Sequence, residues 1–400
     1  MKTTWEHHFP EQIIFGVGAV ENLDAVLRKL KAKDVLLVTD PGVVKAGVAK
    51  HVISNLETAG YNILVYDQAI PEPTFDSVLD CVSFIKNHRK PDIIIALGGG
   101  SSIDLAKATA LINEHGGHPS DYVGEHLIPG KITPLIAIPT TAGTGSEVTS
   151  VAVLTDEESN LKVGISDNNL RPQIALLDPE LTIGLPAYVT ACSGIDALSH
   201  AIEAYTSNNF AYVQTNEQVL FQGSLPISDI FALRSIELIA NNLSIAVQQG
   251  SNLKARKNMM LGSLYAGLAL SNTGTAAAHA LAYPIGGLVK SPHGEVTGLL
   301  LPYVMEYNAA VAEEKMIHIS KAFRVDVSNM DRKEASLKAS ALVMELIKEI
   351  GLPTKLSKIG VHEDDIPTIA EKAIKIDRLI RNNPRVPNVT GFKEILNKSF

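Results

Sequence analysis

"IIIALGGGSSIDLAKA", residues 93–108, decides how the first half of this chain folds. An apolar run (93–97) leads directly into three glycines and two serines, and a helical stretch follows. A short continuous apolar run bounded by turn residues reads as a strand covered on both faces, as in a parallel sheet flanked by helices. Four other runs repeat the theme: VLLVT (35–39), ILVY (63–66), LIAI (135–138) and IALL (174–177). Strands alternating with helical segments predict an α/β unit, and ligands of such sheets bind just past the carboxyl ends of the strands.

The GGGSS turn has two readings. Glycines let a backbone approach a ligand closely, and a helix N-terminus offers unpaired N–H groups to a phosphate or pyrophosphate. The plainer reading is a tight strand-to-helix turn with a serine cap. The stretch is neither a Walker motif nor G-x-G-x-x-G. FGVGAV (15–20) imitates part of a dinucleotide fingerprint, but no strong strand precedes it and it is taken as a structural turn. A second turn, PTTAGTGSEVTS (139–150), carries more hydroxyls than a turn requires, at Thr140, Thr141, Thr144, Ser146 and Thr149. Two such turns at the ends of different parallel strands predict one extended ligand, such as a dinucleotide. Asp40 ends the first strand of this series in VTDPG. A carboxylate there either accepts hydrogen bonds from ribose hydroxyls and repels a 2′-phosphate, or simply terminates a strand.

Beyond a predicted hairpin (148–155 with 161–166), strand signals stop near residue 185, and apolar residues recur at helical spacing. The boundary is expected within LDPELTIGLPAYV, where Pro179 and Pro186 interrupt regular structure, giving units 1–185 and 186–400. A polar stretch at about 207–227 fits neither half and reads as a lid, another functional insertion or a disordered loop; its LFQG tetrad (220–223) also resembles a 3C-type protease site, by chance or as an engineered insertion.

GIDALSHAIEAY (194–205) places Asp196 and His200 at i and i+4, on one face of a helix. Alone the pair could merely hydrogen-bond. HALAYPIGGLVKSPHG (279–294) adds His279 and His293, and these three histidines all lie in small, largely apolar surroundings where unpartnered imidazoles would be costly. One carboxylate and three imidazoles form a four-ligand set suited to a first-row divalent ion.

Composition bounds the rest. At 400 residues the chain is too long for one ordinary core. It is 46% hydrophobic and 20% charged, the balance of a soluble globular protein, and no apolar run approaches the roughly 18 residues of a membrane span. The net charge of −8 argues against a nucleic-acid partner, and the N-terminus has no secretion-signal pattern. Two cysteines, Cys81 and Cys192, do not make a disulfide framework, so a cytoplasmic protein is expected.

Taken in order, VTD (38–40), GGGSSID (98–104), PTTAGTGSEVT (139–149), GIDALSHAIEAY and HALAYPIGG…PHG resemble the iron-dependent, or group III, alcohol dehydrogenases along nearly the whole chain. That resemblance implies an N-terminal Rossmann-like NAD-binding domain, an all-helical metal-binding domain and a site in the cleft between them. It implies Fe(2+), with Zn(2+) as a competitor, bound by Asp196, His200, His279 and His293. NAD(H), favoured over NADP(H), would meet Asp40 at the adenosine ribose and Gly99, Gly100 and Ser101 at the pyrophosphate. Thr140, Thr141, Thr144 and Thr149 would line the second turn, with Lys162 near the nicotinamide ribose. The implied activity is hydride transfer between a primary or small secondary alcohol and NAD, in a homodimer or larger homo-oligomer.

The chain departs from the family pattern in two motifs. Tyr283 stands where many members have a histidine, and it would shape the pocket or relay a proton. Pro71-Glu72-Pro73 replaces the common Pro-Asn-Pro. A hydroxyacid–oxoacid transhydrogenase and a catalytically inactive nucleotide- or metal-binding regulator are the rival functions. Lyase chemistry of the dehydroquinate synthase kind would need basic residues near the metal, and residues 196–293 offer little beyond Lys254, Arg256, Lys257 and Lys290.

Overall fold

The apolar runs pair with one another in parallel. In the computed structural model, which describes residues 1–158, 161–213 and 219–400, nine strands form. They are β1 (Gln12–Phe15), β2 (Asp34–Val38), β3 (Asn62–Tyr66), β4 (Ile93–Gly98), β5 (Gly124–Glu125), β6 (Leu135–Pro139), β7 (Val151–Asp156), β8 (Leu161–Ser166) and β9 (Ile174–Leu177). Six of them make an all-parallel sheet in the order β1-β9-β6-β4-β2-β3. Alternate residues point to opposite faces, and both faces are buried. Leu36, Val38, Ile94, Ala96, Leu135 and Ala137 belong to one apolar cluster, while Val35, Leu37, Ile93, Ile95, Ile136 and Ile138 belong to another. Two-sided burial is why these strands lack polar alternation.

β1 corrects the expectation at FGVGAV: a strand does precede that turn, pairing with β9. It is four residues long, at the sheet edge and only partly buried, so its apolar signal is short. β7 and β8 form the expected antiparallel hairpin, and β5 adds to β8 in parallel.

The chain divides into two units. One, residues 8–141 and 145–184, contains both sheets. The other comprises residues 1–7, 142–144 and 185–400. Among its described residues there are helices and one isolated bridge, Asn209 to Ser224, but no strand. Its long helices include Ala187–Thr206, Pro226–Ala240, Leu253–Thr273, His293–Asn308 and Arg332–Glu349. In the 207–227 stretch, residues 214–218 lie outside the described residues. The LFQG tetrad is part of the core: Leu220 and Phe221 are buried, and the N–H groups of Gln222 and Gly223 donate to the carbonyls of Asn272 and Thr273 at 2.9 and 3.2 Å. An accessible protease site is therefore not what the tetrad forms.

Candidate metal centre and glycine-rich turns

Three helices carry the predicted metal ligands. Asp196 and His200 lie in the Ala187–Thr206 helix, His279 near the start of the Ala277–Gly286 helix, and His293 at the first position of the His293–Asn308 helix. Small residues let the first and last of these come close. A Cβ on Gly294 would lie 2.1 Å from the Cys192 carbonyl oxygen, and one on Gly298 would lie 2.7 Å from the Ile195 side chain. A side chain at either position would push His293 away from Asp196.

Three of the four candidate ligands converge, and His200 stands just outside that group. Asp196, His279 and His293 each offer an atom within 4.8 Å of the others, the one such triplet that includes these residues among those described. His200 Nε2 is 3.9 Å from Asp196 Oδ2, and His279 Nε2 is 3.8 Å from Asp196 Oδ1. The His200 ring stacks on His279 with centroids 4.7 Å apart, and His293 packs edge-on to His279 at 5.4 Å.

Sequence reading missed the groups that orient these ligands. Glu203 Oε2 accepts from His279 Nδ1 at 2.5 Å and from the Ala276 N–H at 2.9 Å, while Oε1 accepts from the Ala278 N–H at 2.6 Å. An ionised carboxylate can only accept, so the imidazole proton sits on Nδ1 and the lone pair on Nε2 points toward Asp196. The same carboxylate satisfies the orphan N–H groups at the start of the helix that carries His279. Thr297 Oγ1 donates to Asp196 Oδ1 at 2.8 Å and fixes that carboxylate in turn. The signal was present in part: Glu203 follows Asp196 by seven positions and His200 by three, on the same helix face.

Electrostatics and unmet bonding both fit a cation. Burial pushes the Asp196 carboxyl up, but the nearby charges of His200, His293 and His279, with the Thr297 hydrogen bond, outweigh it and hold the group below its usual range. Burial also lowers His200, with Asp196 opposing. In His279 burial is outweighed by the charge and hydrogen bond of Glu203, with Asp196 assisting, so it is raised; the Arg378 charge opposes this. His279 Nε2 is buried with no hydrogen-bond partner, which is costly unless a cation takes the lone pair. Three imidazoles and a carboxylate are a donor set that Fe(2+) or Zn(2+) accepts.

The sheet unit holds the predicted nucleotide residues at the carboxyl edge of adjacent strands β2, β4 and β6. The strand order reverses between β2 and β4, because β3 extends the sheet one way and β4 the other; ligands bind at such switch points. Asp40 follows β2 and caps the Pro41–Lys45 helix: Oδ1 accepts the N–H groups of Gly42 and Val43 at 2.9 and 3.0 Å, and Oδ2 accepts from Ser102 Oγ at 3.1 Å. Gly99 caps the Gly100–His115 helix, and Ser101 lies in its first turn. The position that demands glycine is Gly98, which the sequence did not single out. A Cβ there would lie 2.6 Å from Ser102 Cβ, whereas one on Gly99 would meet Thr141 at an ordinary 3.5 Å.

Part of the second turn's hydroxyl excess serves its interior. Lys107, fully buried, donates through Nζ to Thr149 O, Thr149 Oγ1 and Val151 O at 2.9, 3.0 and 2.8 Å. Asp104, three residues earlier, accepts from Ser146 Oγ at 2.5 Å and from the Val153 N–H at 3.1 Å. Thr140 is buried and Thr141 half-buried, while Thr144 is exposed and groups with the helical unit. Lys162 pairs with Glu72 at 2.5 Å. Glu72 has a left-handed φ of 57° between its two prolines, and its N–H donates to Ser101 Oγ at 3.2 Å.

Tyr283 lies beside the metal ligands, its ring 5.9 Å from that of His293, and its hydroxyl accepts from Arg378 Nη2 at 2.8 Å. Of the basic residues weighed for lyase chemistry, Arg256 is buried and bound to Thr190 Oγ1, Gly250 O and Leu185 O. Arg378 is a further basic residue beside the candidate ligands, and its contact with Tyr283 across 95 positions leaves no local trace in the sequence.

Comparison with known proteins bears on both regions. Residues 10–179 match the family model described as iron-containing alcohol dehydrogenase, and residues 190–400 match its C-terminal counterpart. A long-chain-alcohol dehydrogenase of Geobacillus thermodenitrificans is 38% identical, covering 94% of this chain and 92% of its own. An NAD-dependent methanol dehydrogenase of Bacillus methanolicus is 33% identical, covering 98% of each. A solved 1,3-propanediol oxidoreductase superposes with a TM-score of 0.93 at 35% identity, over 99% of this chain and 100% of that one.

Proposed function

This chain belongs to the iron-containing alcohol dehydrogenase family, and on that premise we propose that Asp196, His200, His279 and His293 together hold one divalent cation and that the two glycine-rich turns hold NAD(H). The enzyme is an oxidoreductase acting on CH–OH groups: an alcohol loses a hydride to NAD and a proton to solvent, and the reverse reaction reduces an aldehyde. The observation that carries the ligand assignment is the buried, partnerless His279 Nε2 facing Asp196.

Held by Asp196, His200, His279 and His293, iron(II) would supply Lewis acidity toward the substrate oxygen. The chain's own residues do the rest. Glu203 keeps the proton of His279 on Nδ1, so that Nε2 is available as a ligand. Thr297 orients Asp196. Asp40 places a carboxylate where the adenosine ribose would lie, which favours NAD over NADP by charge repulsion of a 2′-phosphate. Gly99, Gly100 and Ser101 present backbone and hydroxyl groups to the pyrophosphate. Thr140, Thr141, Thr144 and Thr149 build the second turn, and Lys162 serves the nicotinamide ribose. Tyr283 shapes the substrate site.

The substrates are small alcohols and aldehydes. No described helix is long and apolar enough to cross a membrane. Both cysteines are buried and free, which fits a reducing cytoplasm, and a homodimer or larger homo-oligomer follows from the family pattern. The test is a panel of aldehydes assayed for NADH oxidation, with metal content measured on the same sample. About one iron or zinc per chain with turnover is the expected result. NADH binding with no turnover on any aldehyde by metal-loaded protein would favour a regulator, and turnover that needs an oxoacid in place of added NAD would favour a transhydrogenase.

A further inference from the structure

Beside the metal ligands stands a cation with no anionic partner. Arg378 Nη2 donates to the Tyr283 hydroxyl at 2.8 Å, and Tyr283 in turn packs 5.9 Å from the His293 ring. The guanidinium carbon lies 5.7 Å from the Tyr283 ring centre and 6.0 Å from that of Phe221, so two aromatic faces hold it in place. Among the described residues no carboxylate lies within ion-pair distance of it; the neighbouring acid, Asp377, is 86% exposed and faces Arg381 at 3.7 Å.

A half-buried arginine without a counter-charge keeps a charge and donors available to a ligand. The guanidinium carries five N–H donors, and the one hydrogen bond it makes in the structure leaves the others available. Because the Tyr283 oxygen accepts from Arg378, its own O–H remains free to donate. Two donors from separate elements therefore converge beside the ligand cluster. Their geometry suits the oxygens of a carboxylate, sulfonate or phosphonate, which a planar guanidinium binds in bidentate fashion.

We propose that Arg378 and Tyr283 form an anion-binding subsite, and that the preferred substrate of this enzyme is a short aldehyde, or the corresponding alcohol, carrying an anionic group at its far end. This rests on the dehydrogenase reading given above. In the reducing direction NADH gives a hydride to the carbonyl carbon, the C=O π pair takes a proton from solvent, NAD is released and the anionic head is unchanged. The subsite orients the substrate and takes no part in the bond changes.

The test compares aldehydes of similar length with neutral and anionic ends: butanal against 4-oxobutanoate, sulfoacetaldehyde and phosphonoacetaldehyde. The metal-loaded enzyme is expected to favour at least one anionic aldehyde in kcat/KM, and the head with the highest ratio to butanal identifies the class. Arg378→Gln should lower that ratio roughly 10- to 100-fold, mainly through KM, the usual loss for a charge-assisted hydrogen bond. Arg378→Lys should restore part of it, and Tyr283→Phe should lower it less than Arg378→Gln does. A ratio near one for all three heads, or an equal fall on neutral and anionic substrates in Arg378→Gln, would overturn the subsite. A second readout does not need turnover. With NADH present an alcohol cannot be oxidised, so calorimetry of the three corresponding anionic alcohols reports the dead-end complexes. Binding of at least one, weakened in Arg378→Gln, supports the subsite even if no aldehyde is reduced, an outcome that would overturn the dehydrogenase reading alone. No heat from any of them in the unaltered enzyme overturns the subsite.

Discussion

The metal centre and the glycine-rich turns place functional groups by opposite means. At the proposed metal centre the candidate ligands are side-chain atoms on three helices, two of them oriented by Glu203 and Thr297. At the turns the proposed nucleotide contacts are largely backbone, and buried side chains brace them: Lys107 holds Thr149 and Val151, and Asp104 holds Ser146 and Val153. Replacing a side chain should therefore remove chemistry from the first region and shape from the second.

The largest expected effect tests the first half of that contrast. His279→Ala removes a ligand whose Nε2 has no other role, and activity should fall by about a thousandfold or more, as loss of several kcal/mol of metal-derived stabilisation requires. NADH binding, followed by fluorescence, should persist, because the turns do not depend on this imidazole. Loss of both together would show that the regions are not separable.

Next in size is Lys107→Ala. It removes the three hydrogen bonds to Thr149 and Val151 and leaves buried acceptors unpaired, a change costing about 2–5 kcal/mol. A fall in thermal midpoint, with metal content retained in the protein that stays folded, would place Lys107 as a structural brace. An unchanged midpoint would mean that the turn carries its own shape. Glu203→Gln sharpens the picture at the metal centre. The amide keeps the volume but weakens control of the His279 tautomer, so metal affinity should fall roughly 10- to 100-fold by competition with a chelator. The smallest effect is expected at Glu72→Gln. Its pairing with Lys162 is about half exposed on the glutamate side, and such pairs contribute about 0–1 kcal/mol, so thermal stability should change little. A large loss of stability would mean that the strained Pro-Glu-Pro turn depends on the ion pair.

Much of the sheet unit was legible because its strands are apolar on both faces, a pattern that survives in local sequence. β1 was not, since four half-buried residues at an edge carry little apolar signal. The candidate metal ligands stood out as residue types in unusual surroundings, with Asp196 and His200 at helical spacing. Glu203 shared that spacing but read as an ordinary helix glutamate, because nothing local marks a carboxylate whose partner is 76 positions away. At the turns, hydroxyl number suggested a ligand, and two of those hydroxyls also serve the interior: Ser146 donates to buried Asp104 and Thr149 accepts from buried Lys107. Counting donors along a sequence cannot say which way they face.

Sequence alone determined the alternation of strand and helix, the change of rhythm near residue 185 and the identities of four candidate ligands, since each depends on spacing within one element or on residue chemistry. Tertiary structure alone decided that Gly294 and Gly298 let two helices close on each other, that Glu203 sets the tautomer of His279, and that Arg378 reaches Tyr283 beside His293. Those are contacts between distant positions, and their free energy comes from packing, which no local pattern records.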